Sequence, residues 1–219
     1  MWNKFSEYRK IIEKSAEVER CVESKYKEFE DIILKNIKGV CLEIGCGDGI
    51  WTQKLRKKSN FLVSLDLSEE RVKIAKKKNP YVKFVVCDAR NLPFKKNIFD
   101  AIVALEIIEH LPTYEDHKKF LSEVKRVLTS SGKFLISTPN RPIYRIYKKL
   151  TKDSDFTHFS ELSYYQFGSV LKNTFSQVKI YGKFGWLSPF YKLFFIKIIH
   201  RFLSKIVPLC KGLLAICRK

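Results

Sequence analysis

The segment Val40–Gly49, VCLEIGCGDG, carries the strongest structural pattern in this 219-residue sequence. Its apolar first half ends at an acid, Glu43, and three glycines spaced two apart follow. Because glycine lacks a Cβ, such a turn can adopt positive φ and let a ligand lie against the backbone. The segment therefore predicts a β-strand that leads into a ligand-binding loop, with Glu43 placed to accept hydrogen bonds from the ligand.

Two further apolar runs also end in acids. FLVSLD at residues 61–66 ends at Asp66, and VKFVVCD at residues 82–88 ends at Asp88. In nucleotide-binding α/β folds, an acid roughly 20 residues after the glycine loop accepts hydrogen bonds from ribose hydroxyls. Three parallel strands that end in acids at one sheet edge indicate a site for a nucleoside cofactor.

Together these motifs resemble those of class I S-adenosylmethionine (SAM)-dependent methyltransferases, of the type 11 or quinone-biosynthesis O-methyltransferase kind. The family's first motif matches the glycine loop, its ribose-binding acid matches Asp66, and its adenine-binding Asp-Ala pair matches Asp88-Ala89. The resemblance covers about residues 38 to 183. The cofactor-binding residues it implies are Glu43, Gly45, Cys46, Gly47, Asp66, Leu67, Asp88, Ala89 and Leu105.

A dinucleotide-binding dehydrogenase is the competing interpretation of the same loop. In this chain the third glycine follows the second by two residues instead of three, and Asp88 with its alanine has no role in such an enzyme. The methyltransferase interpretation is therefore favoured.

The rest of the chain fits a Rossmann-like, doubly wound α/β fold. Short β-rich runs alternate with helix-length segments such as 68–78 and 115–128, which is typical of a parallel sheet with crossover helices. The resemblance implies a seven-stranded, mostly parallel sheet whose last strand is antiparallel. We expect one domain over residues 1–219, with N-terminal helices (1–37), a SAM-binding core (38–183), a basic amphipathic insertion (184–211) between strands six and seven, and the last strand (212–219).

The composition indicates where in the cell the protein is located and what kind of partner it contacts. The six cysteines show no C-x-x-C spacing for zinc, and no signal peptide is evident, so a cytoplasmic location is expected. The net charge is +19, and ten lysines and arginines but no carboxylate follow Glu161. Such asymmetry indicates either an anionic partner, nucleic acid or a membrane, or a merely solvated surface.

Residues 189–207 contain a basic amphipathic pattern. Phe195, Ile199 and Phe202 recur at helical spacing on one face, and basic residues follow the opposite face. Lysines interrupt the run before it reaches the roughly 18 apolar residues that would span a bilayer. Two interpretations stay open: a helix that covers the substrate pocket, and a helix that docks peripherally on a membrane.

Candidate catalytic residues follow the expected fourth strand. The run Glu106-Ile107-Ile108-Glu109-His110, with a later His158, resembles a pattern in quinone-biosynthesis O-methyltransferases and in enzymes that methylate the 2′-hydroxyl at small-RNA 3′ ends. That resemblance implies a divalent metal such as Mg²⁺ held by Glu106, Glu109, His110 and His158. Without a metal, His110 would act as a general base, with Glu109 as a second catalytic residue.

Three functions are consistent with these patterns. The favoured one is SAM-dependent methyl transfer to a small or lipid-like hydroxylated substrate. RNA 2′-O-methylation is the rival, although the loop expected from Arg141 to Phe156 is short for a 3′-end enzyme. A non-catalytic interaction protein on the same scaffold would have no physical need of intact glycine, ribose-acid and adenine-acid positions together.

Overall fold

A computed structural model describes residues 29–151, 158–183 and 206–219 of the chain. In these ranges seven strands form one sheet in the order β3-β2-β1-β4-β5-β7-β6. The strands are β1 (Val40–Ile44), β2 (Phe61–Asp66), β3 (Lys83–Val86), β4 (Phe99–Leu105), β5 (Leu128–Pro139), β6 (Gln177–Lys183) and β7 (Gly212–Arg218).

Six helices accompany the sheet in the described ranges, together with 3₁₀ turns at Ile108–His110 and Val207–Leu209. They are α1 (residues 29–35), α2 (Ile50–Lys58), α3 (Glu69–Lys78), α4 (Tyr114–Val127), α5 (Arg141–Thr151) and α6 (Tyr164–Lys172). Three of them begin after a hydroxyl cap: the side chains of Ser68, Thr113 and Ser163 each accept a hydrogen bond from a backbone N–H in the first turn. Such caps satisfy donors that a helix start leaves unpaired, so the sequence itself fixes where these helices begin.

The sheet confirms the predicted Rossmann-like topology. Strands β1 to β5 are parallel, whereas β7 lies antiparallel between β5 and β6. The register places Ile216 of β7 opposite both Leu135 and Lys179. The carboxyl ends of β1, β2 and β4 therefore meet at one edge, where ligands bind in folds of this kind.

Helices cover the sheet on both faces and bury two apolar layers. One layer contains Phe120 and Phe134 with Phe167 of α6, and the other contains Ile33, Trp51 and residues of α2. Most members of both layers are almost completely excluded from solvent. This packing gives the strand ends a rigid base from which to hold functional side chains.

The predicted sixth and seventh strands are confirmed at residues 177–183 and 212–218. The loop expected from Arg141 to Phe156 is wrong for most of its length, because Arg141–Thr151 is a helix. Pro142 lies in its first turn, where a missing N–H costs nothing, so this proline does not break the helix.

Several predicted segments lie outside the described residues. These are most of the N-terminal helices expected over residues 1–37 and nearly all of the basic insertion at 184–211, including the amphipathic pattern at 189–207. Whether that pattern covers a pocket or docks on a membrane therefore stays a prediction. In the described part of the chain, no helix combines the length and the apolar character needed to cross a membrane.

Candidate functional site

The glycine loop after β1 adopts the backbone conformation that its sequence predicts. Gly45, Gly47 and Gly49 all have positive φ, between 51° and 80°. The backbone N–H groups of Gly45 and Cys46 donate to the carbonyl of Leu65, at 2.8 and 2.9 Å. A Cβ added at Gly45 would clash with Ile107 Cδ1. The loop is thus held on the end of β2 and packed directly against the segment that follows β4.

Asp66 lies at the junction of this loop and helix α3. Its Oδ2 accepts from the N–H of Gly47 at 2.9 Å, and its Oδ1 accepts from the N–H of Ser68 at the same distance. The carboxylate therefore fixes the glycine loop to the start of α3. Its neighbour Leu67 is 70% exposed at the sheet edge, so its side chain is available to a ligand.

Glu43 is buried beneath the loop. Its Oε2 accepts hydrogen bonds from Thr52 Oγ1 at 2.6 Å and from Ser64 Oγ at 2.7 Å. Burial raises the pKa of Glu43 to about 7, although both hydroxyls act in the opposite direction. Because Oε2 already serves two hydroxyl donors, a contact with a ligand would fall to the other oxygen.

Asp88 follows β3, and Arg90 engages both of its carboxylate oxygens. The Arg90 guanidinium reaches Asp88 Oδ2 at 2.6 Å and also bonds Asp116 Oδ1 at 2.8 Å. This arginine holds the pKa of Asp88 below its usual range. The sequence reasoning missed Arg90, although its position two residues after the acid was a usable indication. Ala89 is partly buried against the core.

Cys46 and Leu105 are two further residues that the sequence predicted to bind the cofactor. Burial raises the pKa of the Cys46 thiol far above its ordinary value, so this thiol is a packing group and not a reactive one. Leu105, the last residue of β4, is partly buried against the layer that contains Trp51.

Three of the four expected metal ligands converge at the turn that follows β4. One ligand atom each from Glu109, His110 and His158 lies within 4.8 Å of the others. Glu109 is fully buried, and its Oε2 accepts from Thr138 Oγ1 at 3.1 Å. The rings of His110 and His158 meet edge to face, with 5.1 Å between their centroids. We call these three residues the Glu109 cluster.

Glu106, the fourth expected ligand, lies outside the cluster. It adopts a φ of +57°, and its Oε1 accepts from Ser137 Oγ at 2.9 Å. Its side chain is thereby directed to β5. A non-glycine residue at positive φ is a strained position that the surrounding structure must hold, and here the β5 contact holds it.

Backbone hydrogen bonds join the two parts of the cluster, which are 48 residues apart in the chain. The N–H groups of Phe159 and Ser160 both donate to the carbonyl of Glu109, at 3.0 and 3.1 Å. Ser160 Oγ donates to the Leu111 carbonyl at 2.6 Å and contacts His117 Nε2 at 2.8 Å. The segment after His158 is therefore fastened to the turn that carries Glu109 and His110.

Glu161 and Tyr144 hold the imidazole ring of His158 in place. Its Nδ1 lies 3.0 Å from Glu161 Oε1, and its side chain is only 3% exposed. The Tyr144 ring packs beside it at 5.5 Å between centroids. Metal-binding histidines usually have a carboxylate or carbonyl on one ring nitrogen, which fixes the orientation of the ring. The H-x-x-E spacing of His158 and Glu161 was an indication that the sequence reasoning did not use.

The donor set fits a divalent metal. One carboxylate and two imidazoles suit Mn²⁺, Fe²⁺ or Zn²⁺ better than Mg²⁺, which prefers oxygen ligands. Two ligand atoms of a tetrahedral ion with bonds of about 2 Å are about 3.3 Å apart, so atoms that lie within 4.8 Å of one another would have to approach by at most about 1.5 Å to bind a metal together.

Residues 42–136 match the model of a family described as a methyltransferase domain. The chain is 31% identical over 154 residues to the ubiquinone/menaquinone biosynthesis C-methyltransferase of Wigglesworthia glossinidia brevipalpis, a match that covers 59% of this chain and 60% of that protein. It is 33% identical over 129 residues to the ubiquinone biosynthesis O-methyltransferase of Pelagibacter ubique, covering 55% and 51%. The chain thus spans about half to three-fifths of the length of these relatives.

Among solved structures, the crystal structure of a SAM-dependent methyltransferase from Archaeoglobus fulgidus superposes with a TM-score of 0.67 at 20% identity. That match covers 97% of this chain and 99% of the other. It shows that the two chains share a fold.

Proposed function

We propose that this chain, whose residues 42–136 match the model of a methyltransferase-domain family, transfers a methyl group from SAM to a hydroxyl oxygen of a small or lipid-like substrate. The observation that carries the proposal is the position of the Glu109 cluster. The residue two before Glu109, Ile107, lies against Gly45 of the glycine loop. Residues suited to handle an acceptor hydroxyl are therefore next to the loop that is suited to hold the methyl donor.

The glycine loop and the acids at the sheet edge would hold SAM. In this assignment Glu43 serves the methionine end through Oε1, Asp66 accepts from the ribose hydroxyls, and Asp88 lies beside the adenine. Both carboxylate oxygens of Asp88 already accept hydrogen bonds from Arg90. Asp88 can therefore accept from the adenine only if one oxygen bonds Arg90 and the adenine together, or if a bond to Arg90 breaks. Cys46, Leu67, Ala89 and Leu105 supply packing around the cofactor.

SAM supplies a methyl group activated by its sulfonium centre. The acceptor oxygen attacks that carbon in line, the C–S bond breaks, and its electron pair returns to sulfur as a neutral thioether. Most of the rate comes from positioning, since the protein need only align two atoms and remove one proton. His110 is placed to take the hydroxyl proton, and Glu109 next to it would stabilise the resulting imidazolium.

Glu109, His110 and His158 together could instead hold a divalent metal, which would lower the pKa of a coordinated hydroxyl. In that form His110 is a ligand and not the base, and the hydroxyl, with its pKa lowered, would lose its proton to solvent before the oxygen attacks the methyl group. Glu161 keeps the ring of His158 in place, and Thr138 keeps the carboxylate of Glu109 in place, in both forms. The metal form is the one we propose, because the three ligand atoms converge and His158 has a carboxylate behind it.

A hydroxylated ring with a lipid-like tail is the substrate class that we favour. Two relatives are named for quinone biosynthesis, one methylating carbon and the other oxygen. The Glu109 cluster favours oxygen, because an acidic ring hydroxyl presents both a proton to remove and an oxygen to coordinate.

The test is a pair of measurements on the purified protein. Calorimetry should show SAM binding, and labelled SAM should pass its methyl group to a short-tailed dihydroxybenzene. Exhaustive chelation should abolish transfer and leave SAM affinity nearly intact, since the metal acts on the acceptor. Transfer that survives chelation would return His110 to the role of base, and absence of SAM binding would refute the proposal altogether.

A further inference from the structure

A cationic groove lies at the opposite end of the sheet from the candidate active site. It has a volume of about 360 Å³ and lies between the end of the N-terminal helical segment and strands β5, β6 and β7. It is lined by Lys133, Lys179, Arg218, Asn36, Gln177, Tyr181, Val178 and Ile216. None of these lining residues is acidic.

The sheet register places the three cations close together. Lys133 of β5 is directly opposite Arg218 of β7, and Arg218 is directly opposite Gln177 of β6. Lys179 is therefore the diagonal neighbour of Arg218. Like charges directly opposite one another destabilise a sheet. In the described part of the chain no carboxylate forms an ion pair with any of the three.

The groove also offers an aromatic ring and two amides. Lys179 Nζ lies 5.2 Å from the centroid of the Tyr181 ring, and Lys133 Nζ donates to Asn36 Oδ1 at 2.8 Å. Cations that follow a groove beside an aromatic ring are what proteins use to hold single-stranded nucleic acid, through its phosphates and one stacked base. A concave groove suits a strand better than the flat surface of a bilayer.

We propose that this groove binds single-stranded nucleic acid. It is a site separate from the methyl-transfer cleft. Six residues of β5 separate Lys133 from the carboxyl end of the strand, about 20 Å at the usual rise. The nucleotides held in the groove are too far from the cleft to be the methyl acceptor themselves. The proposal does not depend on SAM binding or on methyl transfer.

The test uses the full chain and a fluorescent single-stranded RNA of about ten nucleotides, followed by anisotropy at low salt. The groove variant Lys133→Gln/Lys179→Gln/Arg218→Gln is compared with Lys57→Gln/Lys76→Gln/Lys77→Gln, which removes the same charge from exposed positions on α2 and α3. We expect the groove variant to bind at least about tenfold more weakly and the control less than about twofold. The slope of log affinity against log salt should fall by about 2 in the groove variant only, at about 0.7 per lost phosphate contact.

Equal losses in the two triple variants would overturn the proposal, since they would show attraction to net charge alone. So would an absence of saturable RNA binding by the parent protein, or groove-dependent binding to anionic phosphatidylserine vesicles without binding to RNA. Circular dichroism melting checks the fold of each variant, and RNA should raise the melting temperature of the parent but not of the groove variant. If the triple variant fails to fold, the exposed single variant Arg218→Gln carries the same comparison against Lys77→Gln.

Discussion

The cofactor side and the acceptor side of the candidate site are built in different ways. On the cofactor side, Glu43 and Asp66 end neighbouring parallel strands, and the nearby glycine loop is held by local backbone bonds. On the acceptor side, Glu109 and His110 lie on a short 3₁₀ turn, and His158 comes from a segment 48 residues later. Topology alone places the first set, whereas the second needs specific tertiary contacts.

This difference indicates which property, SAM affinity or turnover, a substitution on each side should change. Loss of one acid on the cofactor side should weaken a ligand and leave the rest of the edge intact. Loss of a contact on the acceptor side should separate two segments and change the chemistry without changing cofactor affinity. Paired measurements of SAM affinity and turnover can separate the two sides.

The largest effect is expected from His158→Ala. Turnover should fall by about 100- to 1,000-fold, because a converging imidazole is lost from the cluster. SAM affinity should stay within about twofold, because the contacts described above for His158 are with Glu161, His110 and Tyr144. Initial rates with labelled SAM and calorimetry measure the two quantities, with the 74% exposed Tyr165 replaced by alanine as a control. A parallel loss of SAM affinity would contradict the division into two sides.

The variant Glu43→Gln tests whether the pKa of the buried Glu43 is raised, through the pH dependence of the unfolding free energy. The folded protein raises the pKa of Glu43 from 4.5 to about 7, so the folded state binds this proton more tightly than the unfolded state. The stabilising contribution is complete below about pH 4.5 and is lost as the pH rises through about 7. Between about pH 4 and pH 8, the parent should lose up to about 3 kcal/mol of unfolding free energy relative to the variant. Urea denaturation across this range measures it, and a pH-independent difference would argue against the shift.

Asp66→Ala should weaken SAM binding by about 1 to 3 kcal/mol, because ribose donors and the Gly47 N–H lose their acceptor. Turnover at saturating SAM should change far less than in His158→Ala. Calorimetry gives the affinity, and Asp66→Asn, which keeps one acceptor oxygen, should fall between the parent and the alanine variant. Unchanged affinity in Asp66→Ala would remove Asp66 from the cofactor site.

The smallest effect is expected from Ser160→Ala. Its hydroxyl links the Leu111 carbonyl to His117, so its removal should lower the unfolding free energy by about 1 to 2 kcal/mol. Turnover should fall by roughly 3- to 10-fold through looser placement of His158, with SAM affinity unchanged. Ser130→Ala, at an exposed position, is the matched control in both assays. If the two serine variants have the same unfolding free energy and turnover, the hydrogen bonds of Ser160 do not help to position His158.

The sequence predicted that the glycine loop, Glu43 and Asp66 lie at one edge of the sheet, because strand ends and glycine spacing are local features; that they bind SAM stays a prediction. The positions of β6 and β7 were predicted from the family resemblance and are confirmed. The approach of His158 to His110 was expected only through family resemblance, since no local pattern joins residues so far apart. Glu106 was assigned to the metal from the same run as Glu109, but its positive φ and its contact with Ser137 direct it elsewhere.

Side-chain partners across the fold were not predictable from spacing. The contacts of Arg90 with Asp116 and of Ser160 with His117 arise only when loops and helices dock on the sheet. The helix at Arg141–Thr151 was also missed, because that segment was compared only with a loop of the small-RNA enzymes.

The position of β7 between β5 and β6 has a consequence for synthesis on the ribosome. Strand β6 emerges from the exit tunnel before β7, yet every hydrogen bond that joins β6 to the sheet is made to β7. Until residue 218 has emerged, β5 presents an open edge and β6 has no place to pair. The nascent chain therefore carries an unfinished sheet for the time needed to translate at least 35 further residues after Lys183. An open strand edge of that kind is where chaperones bind and where nascent chains associate with one another.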